Sequence, residues 1–333
     1  MPDSAPSQPA RAGFNSRLAI GVSADGVALV RRDGWLSHSW QLLADQPLPP
    51  VDAITKPATG HSGAQAPANE SGRAGGGSNS QAEAQQSALG VAPAHEVQLL
   101  SMALESALQQ GHCSKLAADI ILADGWARYF MVAPPKNIGS MSDCQAAAAM
   151  RFHQLFGESG SDWQIHAEWD ASAPFLACAL PNNLLSGLQL ACAGQKLRLH
   201  SITPHFIACW NHWSRQLQAD SWFGVVNGGS LMLAAIENGR LQALRRSPFL
   251  LQHWQDKQYL PTLLQREALR LNLAMPVCLQ LCGSLPQDSR AVETMGQLEC
   301  KRLDAGQVAL PLQGGCSDAI SSQLLLALLG ARK

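Results

Sequence analysis

A chain of 333 residues, 46% of them hydrophobic, is long enough to bury a sizeable core and is expected to divide into two domains. Its 24 Lys and Arg balance 25 Asp and Glu for a formal charge of −1, which excludes the basic footprint of a nucleic-acid binder; Arg245-Arg246 reads as solvated surface. No apolar run reaches the roughly eighteen residues of a membrane-crossing helix. Residues 1–13, polar and rich in Pro, Ala and Ser, are expected to be disordered and lack the apolar core of a secretory signal, so a cytoplasmic location is expected.

The first apolar segment, 18–36, reads as a strand, a tight glycine turn, a second strand and then Asp33-Gly34, a dipeptide that tolerates the positive φ of a two-residue hairpin turn. Residues 47–93 are dominated by Pro, Gly, Ala, Ser and Gln and are expected to form a disordered insertion, because they hold too little apolar surface to offset the entropy of ordering. A helix over 95–110 follows, with Gly111 expected as its left-handed cap. Strands are expected at 117–123 and 126–132, joined by Asp124-Gly125 as a hairpin turn. Ser142 is expected to cap a helix over 142–156 with Gly157 beyond its end, followed by strands at 163–169 and 175–180. Pro181 opens a helix to 193, a strand spans 196–202, and a helix runs from Pro204 to about 218.

Residues 222–246 then repeat the opening: an apolar strand, the turn Asn227-Gly228-Gly229-Ser230, a second strand and an Asn238-Gly239 hairpin turn. A helix over 260–272, a buried strand over 277–281 ending at Gly283, and an apolar helix over 317–329 complete the chain. Strands and helices alternate in both halves, which defines an α/β class.

A β-meander said twice, some two hundred residues apart, points to two homologous lobes facing one another, the plan of the actin-like (ribonuclease-H-like) fold. In such a fold the two first turns cradle nucleotide phosphates on backbone N–H groups while acidic side chains organise Mg²⁺. Here the first turn is Gly21-Val22-Ser23-Ala24-Asp25-Gly26, with Ser23 where a metal-organising carboxylate is expected and Asp25 two residues late. An amide, Asn227, holds the acidic place in the second turn. Ser23, Asp25, Gly26, Asn227, Gly228, Gly229 and Ser230 are therefore candidates for a degenerate nucleotide cleft, and the alternative is two β-turns that merely connect strands. Gly283, within Cys282-Gly283-Ser284, is the candidate turn against an adenine ring or an ordinary strand-end turn.

The nine cysteines are scattered; Cys278 and Cys282 lack a second ligand pair, so the thiols read as core and no metal is expected. His205 and His212, seven apart on one predicted helix, are expected to share a face, and they and His153 read as packing or solvent-facing residues with no nucleophile beside them. Trp210 and Trp213, and Trp163 and Trp169, read as core residues, or as partner anchors if exposed. No residue is assigned a catalytic role.

Two stretches carry a family resemblance: Ile121-Leu122-Ala123-Asp124-Gly125-Trp126-Ala127-Arg128-Tyr129 followed by Val132-Ala133-Pro134, and Phe175 to Pro181 with its helix and Leu199-His200-Ser201-Ile202-Thr203-Pro204. In order and spacing the chain resembles the type IV pilus assembly protein PilM and the cytoplasmic part of the type II secretion protein GspL. The resemblance implies a two-lobed actin-like fold with a small extra subdomain in the first lobe: first lobe 14–218, subdomain about 134–200, insertion 47–93, second lobe 219–333. It further implies a cytoplasmic scaffold of a pilus or secretion apparatus that binds the cytoplasmic tail of a bitopic inner-membrane partner. PilM-like members bind ATP, so ATP with Mg²⁺ is the cofactor to consider, and an active ATPase or small-molecule kinase of the same fold is the alternative function.

Overall fold

The structure, a computed structural model, describes residues 16–32, 40–48, 94–135, 140–286, 292–303, 312–313 and 321–331. The expected disordered N-terminus, the Asp33-Gly34 turn and nearly all of the 47–93 insertion lie outside the described residues.

Strands β1 (Arg17–Val22), β2 (Gly26–Arg32) and β3 (Trp40–Pro47) form the first meander. Helix α1 (Ala94–Gln110) leads to β4 (Ala117–Leu122) and β5 (Arg128–Val132). Helix α2 (Met141–Phe156), β6 (Trp163–Ala167) and β7 (Phe175–Pro181) follow, then α3 (Asn182–Gly194), β8 (Arg198–Pro204) and α4 (His205–Trp213). The second meander is β9 (Trp222–Asn227), β10 (Ser230–Glu237) and β11 (Arg240–Pro248). Beyond it lie α5 (Leu251–Gln255), α6 (Tyr259–Leu271), β12 (Cys278–Gly283), β13 (Val292–Met295), β14 (Leu298–Arg302), β15 (Leu312–Gln313) and α7 (Ser322–Ala331).

The repeat read from the sequence is a repeat of topology. One sheet runs β15-β3-β2-β1-β4-β8 and another β11-β10-β9-β12-β14-β13. In each, an antiparallel meander adds a parallel strand beside its first member, β4 on β1 and β12 on β9. Each meander also carries a register shift in its second hairpin, at Leu29/Val30 and at Ala235/Ile236. A third sheet, β5-β7-β6, is separate from both.

Period-two alternation decides which helix covers which face. Leu18, Ile20 and Val22 point to α1 and α3, where Leu100, Leu104, Leu108, Leu184 and Leu188 are buried. Ala19, Ala28 and Val30 point the other way and meet Leu324, Ala327 and Leu328 of α7. In the second sheet Leu231, Leu233, Leu279 and Leu281 pack on Leu260, Leu263 and Leu264 of α6, while Phe223, Val225, Met232 and Ala234 pack on Phe206, Cys209 and Trp213 of α4. The last helix, expected with the second half, therefore covers the first sheet. Helix α4, which leaves the first sheet, covers the second, and Ile121, Ala208 and Leu326 join the two helices.

Several local expectations change. Asp124-Gly125 is not a hairpin: β4 and β5 belong to different sheets, and a 3₁₀ turn over Asp124–Trp126 carries the chain between them. The left-handed cap of α1 is His112 (φ 48°), not Gly111. The Gly111 N–H still bonds Ala107, and Cys113 N–H reaches back to Leu108 at 3.0 Å, the six-to-one bond that places the αL residue at 112. Helix α2 starts one residue early because Ser140, not Ser142, is its N-cap, with Ser140 N–H donating to the Asp143 carboxylate at 2.9 Å. Gly157 does close it in the left-handed conformation (φ 69°). Pro181 and Pro204 flank their helices as N-caps, and α4 ends at Trp213 in a 3₁₀ turn rather than continuing to 218.

All eight described cysteines are buried, as expected of core thiols. Burial pushes Cys113 and Cys192 up to about 11 and Cys300 to about 12, against an ordinary value near 9.0, and raises Cys178 further. A thiol that keeps its proton in the folded state while the unfolded chain releases it contributes stability that is complete below about pH 9 and is lost as pH climbs through the folded value. The urea midpoint is therefore expected to be lower at about pH 10.5 than at about pH 8. An unchanged midpoint across that interval would contradict this burial.

Candidate functional site

The first turn is built against α7. Ser23 N–H and Oγ face Gly26 O, at 2.9 Å and 3.5 Å, and Ser23 Oγ accepts from Asp25 N–H at 3.1 Å. Ser23 Oγ also donates to Gln323 Oε1 at 3.4 Å, and the Asp25 carboxylate accepts from Ser322 Oγ at 3.0 Å. Asp45 of β3 completes the cluster, accepting from Ser321 Oγ and Gln323 Nε2 at 2.8 Å each. Glycines permit the approach. A Cβ on Gly21 would collide with the Gln323 carbonyl oxygen and lie 2.5 Å from Ala327 N, and one on Gly26 would collide with Gln46 O. Ser23 is buried and Asp25 exposed.

The second turn closes on its own sheet. Gly228 (φ 53°) and Gly229 (φ 72°) are both left-handed, as a two-residue turn of this hand requires. Ser230 Oγ donates to Asn227 O at 3.0 Å, and the buried Asn227 amide accepts from Ser284 Oγ at 3.4 Å. Gly283 sits at φ 106°, and a Cβ there would collide with Val226 O, so β12 ends flush against the turn. Phe249 N–H binds Gly229 O at 2.9 Å.

The eight candidate residues thus fall into two hydrogen-bonded sets. Ser23, Asp25 and Gly26 gather around Ser322 and Gln323; in the second turn Asn227 bonds Ser230 and Ser284, Gly229 bonds Phe249, and Gly283 abuts Val226. As a phosphate cradle the first turn is short of donors, since its Ser23 and Asp25 N–H groups are bonded within the turn. As a Mg²⁺ site the cluster offers two carboxylates, Asp25 and Asp45, both already bonded to Ser322, Ser321 and Gln323, and no group of three or more ligating side chains stands among the described residues.

Sequence reasoning missed a buried carboxylate that ties three elements together. Asp124, 6% exposed, accepts from Tyr129 Oη at 2.5 Å and Phe206 N–H at 2.9 Å, with His205 Nδ1 at 3.6 Å. Pro204 brings no side-chain cap to α4, so Asp124 supplies one from the end of β4. Burial first, and the Asp124 carboxylate next, hold the Tyr129 phenol well above its ordinary range. His205 and His212 lie on one side of α4, as their spacing requires, but His205 is buried and His212 exposed. Seven residues carry a helix about 10 Å along its axis, from under the sheets out into solvent. His153 is exposed, Trp163 and Trp213 are buried, and Trp169 and Trp210 half-buried. A second missed node is Arg128, whose guanidinium lies 4.4 Å from the Trp163 ring centroid and 4.8 Å from that of Phe156 while bonding Glu158 at 2.8 Å.

Two meander sheets with helices exchanged between them, and a three-stranded sheet inserted after β4, define the two-lobed actin-like α/β fold with a small extra subdomain. Among solved structures the chain is similar to the PilM–PilN type IV pilus biogenesis complex, with TM-score 0.56 and 13% identity over 95% of this chain and 98% of that one. It is also similar to the cytoplasmic domain of EpsL, an inner-membrane component of the type II secretion system of Vibrio cholerae (TM-score 0.49, 8% identity, 96% of each chain). A Bacteroides thetaiotaomicron protein with an actin-like ATPase fold overlaps less well (TM-score 0.46, 11% identity, 81% of this chain and 82% of that one). At these identities the likeness is one of fold, and only the first overlap is close enough to carry weight. No protein-family model and no curated protein matches the chain. Among the described residues no helix is long and apolar enough to cross a membrane.

Proposed function

We propose that the chain is a non-enzymatic scaffold of a type IV pilus or type II secretion-like apparatus, acting at the cytoplasmic side of the inner membrane by binding the cytoplasmic tail of a membrane-spanning partner. The observation that carries the non-enzymatic part is the cluster at the first turn. Groups that would face phosphate and Mg²⁺ are bonded instead to Ser322 and Gln323 of α7, with the helix backbone against Gly21. The overlap with the PilM–PilN complex supports the apparatus, because the same fold there belongs to pilus biogenesis. Recognition of a partner's peptide needs no nucleotide chemistry.

Thermal unfolding with and without Mg-ATP tests this reading. A ligand at a hundred times its dissociation constant adds about 2.7 kcal/mol of stability. No shift at millimolar Mg-ATP is expected. A clear upward shift that Asp25→Ala abolishes would replace the scaffold reading with that of an active ATPase or kinase.

A further inference from the structure

Edge strands present unpaired N–H and C=O groups, and proteins blunt them with charge, proline, bulges or cover. β8 carries Arg198 and Pro204; β11 carries Arg240, Arg245, Arg246 and Pro248; β13 carries Glu293. β6, Trp-Gln-Ile-His-Ala, carries none of these and, among the described residues, is bonded only to β7. Gln164 and His166 are exposed, while Ile165 and Ala167 are half-buried against the core under α2.

The ends of this strand are acidic. Residues 158–170 hold Glu158, Asp162, Glu168 and Asp170 and no Lys or Arg. Glu158 is taken by Arg128 and Trp163. Asp170 accepts from Ser172, whose hydrogen bonds, with Arg240 as a lesser influence, hold its carboxyl below the ordinary range. Asp162 and Glu168, immediately before and after β6, are exposed and have no hydrogen-bond or ion-pair partner among the described residues.

This charge pattern selects the occupant. A second copy paired antiparallel about Ile165 would set Asp162 opposite Glu168, and a parallel copy would set like on like; both place carboxylates in repulsive register. A strand carrying Lys or Arg meets the opposite sign at both ends. The cytoplasmic flanks of membrane-spanning helices carry an excess of Lys and Arg.

We propose that the outer edge of β6 takes up a basic, extended segment from the cytoplasmic flank of a membrane-spanning partner as an added strand, held by main-chain bonds and by Asp162 and Glu168. This inference rests on the scaffold reading above and names where and how the tail is held.

The full chain is titrated by fluorescence anisotropy with a fluorescein-labelled, alternating Lys-Val octapeptide, its Glu-Val counterpart, and a Lys-Val peptide N-methylated at alternate amides. Binding of the Lys-Val peptide alone is expected, with at least about a tenfold loss on N-methylation and a similar loss in Asp162→Lys/Glu168→Lys. That variant changes two exposed side chains, so its unfolding midpoint should match the parent's. Equal binding of the N-methylated peptide would reduce the contact to charge alone and overturn strand addition. Unchanged binding by the double variant would overturn the location, and sedimentation showing a dimer that the variant dissolves would give the edge to a second copy. Mg-ATP stabilisation bears on the scaffold reading and leaves these peptide titrations unaffected, so the two can fail separately.

Discussion

Asp124→Ala is expected to destabilise the chain by about 3–5 kcal/mol, the cost of leaving buried hydrogen-bonding groups without their charged partner. One carboxylate receives the Tyr129 hydroxyl from β5 and the Phe206 N–H at the start of α4, and its own position is the exit of β4. Its loss therefore strips a helix cap, orphans a half-buried phenol and removes the negative charge beside His205 together. Tyr129→Phe removes only one of those contacts and should cost about 1 kcal/mol, the usual net value of one hydrogen bond. Urea unfolding of the two variants checks the ratio. Equal, small losses in both would mean that Asp124 does not bind the three elements together.

Gly21→Val is expected to cost about 3 kcal/mol, the upper end of what overpacking usually costs, because here it meets backbone rather than a side chain that can turn away. The new Cβ would overlap the Gln323 carbonyl and press on Ala327 N, so α7 has to lift from β1. Lifting it exposes Leu324, Ala327 and Leu328 to water and breaks the Ser322–Asp25 and Gln323–Asp45 hydrogen bonds. A lower urea midpoint with faster proteolysis near the C-terminus is the expected readout. A midpoint within error of the parent would show that the helix does not rest on Gly21.

The repeat was legible because its signals are local: apolar runs, the Gly228-Gly229 pair and Asn238-Gly239 each specify backbone geometry within a few residues. Helices were legible from periodicity, and their ends only where a cap stands in the sequence, as at Gly157. What escaped depends on distant partners. Asp124-Gly125 has the composition of a hairpin turn, yet the side chain is claimed by Phe206, 82 residues on. Gln323 sits in an apolar run that reads as plain packing surface, yet it bonds to Ser23 across 300 residues. The candidate turns were found, but the cluster that occupies the first of them was not, since nothing near residue 23 encodes residue 323.

Helix α7 is ten residues long and lies about 300 residues beyond the first turn it packs on. It covers the face of the first sheet made by the earliest strands, β1 and β2. During synthesis those strands wait for some 300 further residues before Ala19, Ala28 and Val30 are shielded from water. Closing this face thus depends on contacts that span some 300 residues, the non-local kind that slows folding. Until then the nascent chain carries an open apolar sheet face, a surface that invites chaperone capture or misassociation.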